Sequence, residues 1–204
     1  MSVPTLKERN LRWLVMIVAL DVAILVFASL GPVPSLSAVA IRGVFIPLLP
    51  VAVLLLSNVM PHQIKDSLVF WKGKHALPGH AAFTKHGPAD SRINMAALRK
   101  NVGALPSDPA EQNSFWYTLY KQADSDAAVS EAQRMYVLFR DAAALSFMCL
   151  ILVPLALFVS RAGRDACLTA LGLFAVQYAI AALSARFNGI RLVGNVLAHH
   201  AAKR

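Results

Sequence analysis

Residues 142–160 read AAALSFMCLILVPLALFVS, and residues 166–185 read ACLTALGLFAVQYAIAALSA. Each run is close to the ~20 residues that an α-helix needs to cross the hydrocarbon core of a bilayer. Neither contains Lys, Arg, Asp or Glu. Lipid offers no partner for backbone N–H and C=O groups, so such runs are dictated to be helices that close their own hydrogen bonds. The short polar link SRAGRD reverses the chain between them, which makes the pair a membrane hairpin.

The N-terminal part repeats this plan. Residues 13–30, WLVMIVALDVAILVFASL, and 38–57, AVAIRGVFIPLLPVAVLLLS, flank the turn GPVPSLS. Gly31, Pro32 and Pro34 break helices there. Asp21 sits near the middle of the first run and Arg42 about one turn into the second. Pro47, Pro50 and Pro154 lie inside apolar runs, where each removes a backbone donor and bends the helix. A cleaved signal sequence is the alternative for the first run. It fits poorly, because signal cores span about 7–15 apolar residues and rarely hold an Asp.

The fold class expected is therefore an all-α integral membrane protein. Four transmembrane helices (13–30, 38–57, 142–160 and 166–185) form two hairpins, and residues 58–141 form a small helical cytoplasmic cap between the second and third spans. Residues 1–12 are a cytoplasmic N-terminus, and 186–204 an amphipathic cytoplasmic tail. Composition agrees: of 204 residues 57% are hydrophobic and 15% charged, against about 25% charged in soluble domains. The net charge of +9 fits loops beside anionic lipid better than a nucleic-acid partner. Cys149 and Cys167 lie in apolar runs without the spacing of a disulfide framework or a zinc site.

Basic residues set the orientation. The termini and the long segment hold 17 of the 20 Lys and Arg, and that side is expected to be cytoplasmic, in a bacterial inner membrane. Arg42, Arg161 and Arg164 on the other side run against this rule. The segment itself is divided by charge. Residues 62–100 carry seven Lys or Arg and two acids, whereas 101–141 carry three and six. Lys65, Lys72, Lys74, Lys85, Arg99 and Lys100 are candidate contacts for anionic headgroups, each contributing about 1 kcal/mol near the surface. Solvated loop charges are the plain alternative.

The acidic part carries helix signals. Asp108 can cap, Pro109 suits the first helical position, and Glu111 completes a capping box. In SFWYTLYKQ, Phe115, Trp116, Leu119 and Tyr120 share one face, with Glu111, Ser114, Thr118 and Lys121 opposite. That aromatic face is the candidate partner-binding surface. A short helix is expected over 91–101, ended by Gly103. Val129, Ala132, Tyr136 and Phe139 recur at helical spacing, so one helix of about 50 Å is expected from Asp126 to Ser160. In the tail, Phe187, Ile190, Val193 and Leu197 form an apolar face, and Gly189 and Gly194 allow another helix to approach.

Asp21 is the sharpest chemical feature. An ionisable group at mid-bilayer is costly and marks either a functional site or a polar lock between helices. Gln177 and Tyr178 are its candidate polar neighbours, and Arg42 a cation offset in depth. His62, His75, His80 and His86 cluster in sequence without a helical pair or a nearby Cys, so no metal site is assigned. No phosphate loop, HExxH or GxSxG motif is present. No catalytic residue and no cofactor are expected, which makes the chain non-enzymatic in this reading. Expected partners are the bilayer, a second copy of the chain and a cytoplasmic protein, with nucleic acid disfavoured. The functional expectation is a membrane sensor or effector, or a partner-binding subunit, working through the cap. Stress and anti-phage systems use such architectures, although architecture does not fix function. The alternative is an oligomeric channel or transporter using Asp21 and Gln177.

Overall fold

A computed structural model of the chain describes residues 10–21, 55, 58–159 and 163–203. Regular structure among them is entirely helical. Residues 10–21 form α1. Helix α2 spans His62–Phe70. A 3-10 turn at Pro78–Ala81, a π turn at Ala82–His86 and one α turn at Gly87–Ala89 follow. Then come α3 (Met95–Val102), α4 (Pro109–Ala123), α5 (Ala127–Val159) and α6 (Arg164–Ala202).

The chain divides into two compact units. The first comprises residues 1–65 and 138–182, and the second residues 66–137 and 183–204. Both α5 and α6 supply residues to each.

The first unit is apolar. Helices α5 and α6 are long and apolar enough to cross a membrane, yet only 28% and 22% of their most apolar stretches are buried inside the protein. Ile151, Leu155, Phe158, Val176 and Ile180 are exposed. A soluble core helix would bury such side chains, so this pattern points to membrane association. Where these helices are buried their residues are mostly small: Ala142, Ala143, Ala144, Ser146, Ala170, Ala181 and Ala182. Without a hydrophobic drive between helices in lipid, small residues let backbones approach and gain dispersion contacts. Helix α1 buries Asn10, Leu14 and Asp21, one stripe at helical spacing. The described residues carry two of the four expected spans. Apart from residue 55, the span at 38–57 lies outside them, as does the first span beyond its helical residues 13–21.

The second unit is polar outside and has its own core. Leu98, Leu119, Val129, Ala132, Leu192, Val193, Val196 and Leu197 form it, with Phe115 and Trp116 packed against it. Three Asx residues start its helices. Asp108 Oδ1 accepts from the Ala110 and Glu111 N–H groups, and Asn94 Oδ1 from those of Ala96 and Ala97. Asp126 Oδ1 accepts from Ala128 and Val129. Each satisfies donors that a helix N-terminus leaves open. Helix α3 starts four residues later than expected because Asp90 holds the Arg92 N–H at 3.0 Å, turning the chain before Asn94 caps. Gly103 ends it at φ +92°, a conformation that favours glycine.

The tail joins this core through part of the expected face. Val193 and Leu197 are buried as expected, together with Leu192 and Val196, whereas Phe187 and Ile190 are exposed. The glycines expected to admit a neighbour do so. A Cβ on Gly189 would lie 3.0 Å from Phe70 Cζ, and one on Gly194 would lie 2.7 Å from Asp90 Oδ2. Asn195 is buried there as well. Its Nδ2 donates to the Ala128 carbonyl at 3.0 Å, and its Oδ1 accepts from Arg92 Nη1 at 3.1 Å.

Candidate functional site

The intramembrane candidates lie in the apolar unit. Asp21 is buried, and its Oδ2 accepts a 3.1 Å hydrogen bond from Gln177 Nε2. Gln177 Oε1 is buried without a hydrogen-bond partner among the described residues. Both residues line an apolar groove of about 600 Å3 shared with Ile17, Phe139 and Val176. Tyr178 turns elsewhere and packs its ring 5.5 Å from that of Phe147. Arg42 lies outside the described residues.

A second charged centre was not foreseen. Lys65, expected at headgroups, is 3% exposed and donates to Asp141 Oδ1 at 2.9 Å. Arg140 Nη2 reaches the same oxygen at 3.3 Å. Burial with a counter-charge therefore takes Lys65 out of the lipid-contact set. The other members, Lys72, Lys74, Lys85, Arg99 and Lys100, are exposed. In the polar unit, Tyr136 donates its hydroxyl to Asp66 at 2.7 Å.

The aromatic face of α4 divides. Leu119 is buried in the core and Phe115 packs on it, with its ring 5.6 Å from Phe83, so core packing occupies these two. Trp116 stacks on Tyr120 at 5.7 Å and both are half-buried. Tyr117 is exposed. Lys121 Nζ lies 5.5 Å from the Tyr117 ring and 5.6 Å from that of Tyr120, within cation–π range. Trp116 and Tyr120, like Phe115, pack against the core, and the exposed groups beside them are Tyr117 and Lys121.

Comparison with known proteins adds no homologue. No protein-family model, curated protein or solved structure matches the chain. Function must therefore be argued from the residues themselves.

Among the described residues, no three His, Cys, Asp or Glu groups converge as metal ligands. The histidines instead divide between two places. His200 is buried with Nε2 2.9 Å from the Leu119 carbonyl, a position that requires the proton on Nε2. His75 and His80 meet edge to face at 4.8 Å beside a cavity that His86 also lines. Burial lowers the pKa of His80 below the ordinary histidine value. The Leu77 carbonyl opposes that shift, and the His75 and Lys72 charges add to it. Burial lowers that of His86 too, aided by Lys85 and Lys72.

In the unfolded chain both rings take up a proton near the usual pH of about 6.5. In the fold they do so only at lower pH, so unfolding binds protons in that window and stability rises with pH across it. The thermal midpoint of the detergent-solubilised protein is expected to drop by a few degrees from about pH 7.5 to about pH 5.5, and by less in His86→Gln. A midpoint that stays level or rises on acidification contradicts this. Asp90 and Asp126 do not confuse the window. The Arg92 side chain and the Val129 N–H hold their carboxyls below 3.8, so their contribution is lost only in stronger acid.

Proposed function

We propose that the protein is a non-enzymatic sensor or effector of the bacterial inner membrane, anchored by four spans and meeting its partner through the polar cap on the cytoplasmic side. One observation carries this reading. Helices α5 and α6 each run unbroken from the apolar unit into the core of the polar unit. A contact on α4 bears on Leu119, whose core neighbours include Val129 of α5 and Val196 of α6. The same two helices that are apolar enough to cross the bilayer therefore hold the cap's core together, which suits transmission better than turnover.

The partner surface is Tyr117 and Lys121, with the half-buried Trp116 and Tyr120 beside them. A photo-crosslinking residue at Tyr117 is expected to give one discrete protein adduct in cells, with a second copy of the chain or with another protein. Tyr120→Ala should abolish it. A smear, or no adduct, counts against the proposal. The second reading, an oligomeric channel or transporter, draws on the Asp21–Gln177 pair in its apolar groove. Reconstituted liposomes decide it: cation or proton flux that vanishes in Asp21→Asn establishes conduction, whereas absence of flux from intact oligomers removes it.

A further inference from the structure

The loop between α2 and α3 folds around a cavity of about 260 Å3 in the polar unit. Six of its lining residues are basic or histidine: Lys72, His75, His80, Lys85, His86 and Arg186. Among the described residues, no Asp or Glu lines it. Phe70, Leu77 and Ile190 supply an apolar wall. Lys72, Lys85 and Arg186 form no ion pair among the described residues. The Arg186 guanidinium is held 4.5 Å over the Trp71 ring, a cation–π contact that fixes its place.

The loop backbone is constrained as well. Trp71 and His75 adopt φ of +54° and +50°, the left-handed region that is unfavourable for bulky side chains. Such strain persists only where surrounding structure imposes it, and it concentrates at ligand clamps. The charges that act on His80 and His86 are all cationic, from His75, Lys72 and Lys85. Like charges around a concave, low-dielectric wall focus a positive potential into it.

We propose that this cavity binds a phosphate group, borne by an anionic phospholipid headgroup or by a soluble phosphate monoester. Arg186 offers a planar fork, Lys72 and Lys85 offer ammonium charges, and the His75 and His86 imidazoles offer N–H donors, which together match phosphate oxygens. His80 directs its Nδ1–H to the Leu77 carbonyl at 3.1 Å. The apolar wall suits the carbon attached to the ester. The inference rests on reading the polar unit as the ligand-bearing cap of a membrane protein, and it names the class of signal.

The test has two arms. Glycerol 3-phosphate is titrated calorimetrically into the protein in neutral phosphatidylcholine nanodiscs. In parallel, native mass spectrometry counts phosphatidic acid bound to detergent-solubilised protein. Saturable binding of one equivalent is expected in at least one arm, weakened about tenfold or more by Lys85→Gln/Arg186→Gln as charge-assisted bonds are lost. Lys72→Gln alone should weaken it severalfold. Arg191→Gln removes the same charge from an exposed residue outside the lining and should leave binding unchanged. Binding in the calorimetric arm names a soluble ester; binding in the lipid arm alone names the headgroup. No saturable binding in either arm, or an equal loss in Arg191→Gln, overturns the proposal. The Tyr117 adduct does not depend on phosphate, so the failure of one idea is separable from that of the other.

Discussion

Asp141→Asn is expected to cost the apolar unit about 3–5 kcal/mol, the usual penalty for removing one partner of a buried ion pair. Lys65 and Arg140 both reach Asp141 Oδ1, at 2.9 and 3.3 Å, and the Lys65 and Asp141 side chains are 3% and 7% exposed. An amide in place of the carboxylate removes the counter-charge that lies 2.9 Å from Lys65 Nζ and 3.3 Å from Arg140 Nη2, where burial leaves little water to screen the change. Lys65→Met is expected to cost less, because Arg140 still neutralises Asp141. The double variant Lys65→Met/Asp141→Asn is expected to cost less than the sum of the two singles, since removing both partners no longer strands the Lys65 charge beside a neutral group. Thermal unfolding of the four proteins in one detergent provides the cycle. If Asp141→Asn melts with the wild type, or if the double variant is the sum of the singles, the pair carries no such coupling.

This pair also shows where sequence reasoning stops. Lys65 stands four residues after Pro61 in a polar stretch with a basic excess, so surface charge was the natural reading. Its partner lies 76 positions away, and no local pattern links them. The local features were legible. Asp108 and Gly103 act where their chemistry places them, and the 33-residue helix from Ala127 follows from apolar spacing that continues past the cap. Polarity within one helix was legible too. Asp21 meets Gln177 because two isolated polar groups in apolar helices gain by finding each other. The tail was legible in part: Val193, Leu197 and the close approach at Gly189 and Gly194 follow from the sequence, whereas Phe187 and Ile190 stay exposed and Leu192 and Val196 take their place in the core. The phosphate-type cavity was invisible, because Arg186 joins the 72–86 loop only through the fold.

Gln112→Leu is expected to destabilise the polar unit by about 1–3 kcal/mol, since the buried Phe83 N–H loses its partner, whereas the Thr84 and Ser107 groups that also lose theirs are only part-buried. The Gln112 side chain is buried at a position sharing the face of Phe115, Trp116 and Leu119, so the spacing alone marks it as a polar group in a core. Its Oε1 accepts from Phe83 N at 3.0 Å, Thr84 N at 3.3 Å and Thr84 Oγ1 at 3.3 Å, while Nε2 donates to the Ser107 carbonyl at 2.8 Å. The first N–H groups of a helical turn have no partner within it. Gln112 supplies one to the π turn at Ala82–His86, and leucine keeps the volume but none of the bonds. Gln112→Glu tests the chemistry more finely: a carboxylate can accept from Phe83 and Thr84 but cannot donate to Ser107, and its burial charged is costly. That variant should therefore be less stable at neutral pH than the wild type, and closer to it in acid. Hydrogen exchange at Phe83 and Thr84 should accelerate in Gln112→Leu more than at Leu98. Unchanged exchange there would mean that the π turn holds itself. Because Lys85 and His86 stand on that turn, Gln112→Leu should also weaken phosphate binding without removing any charge from the cavity.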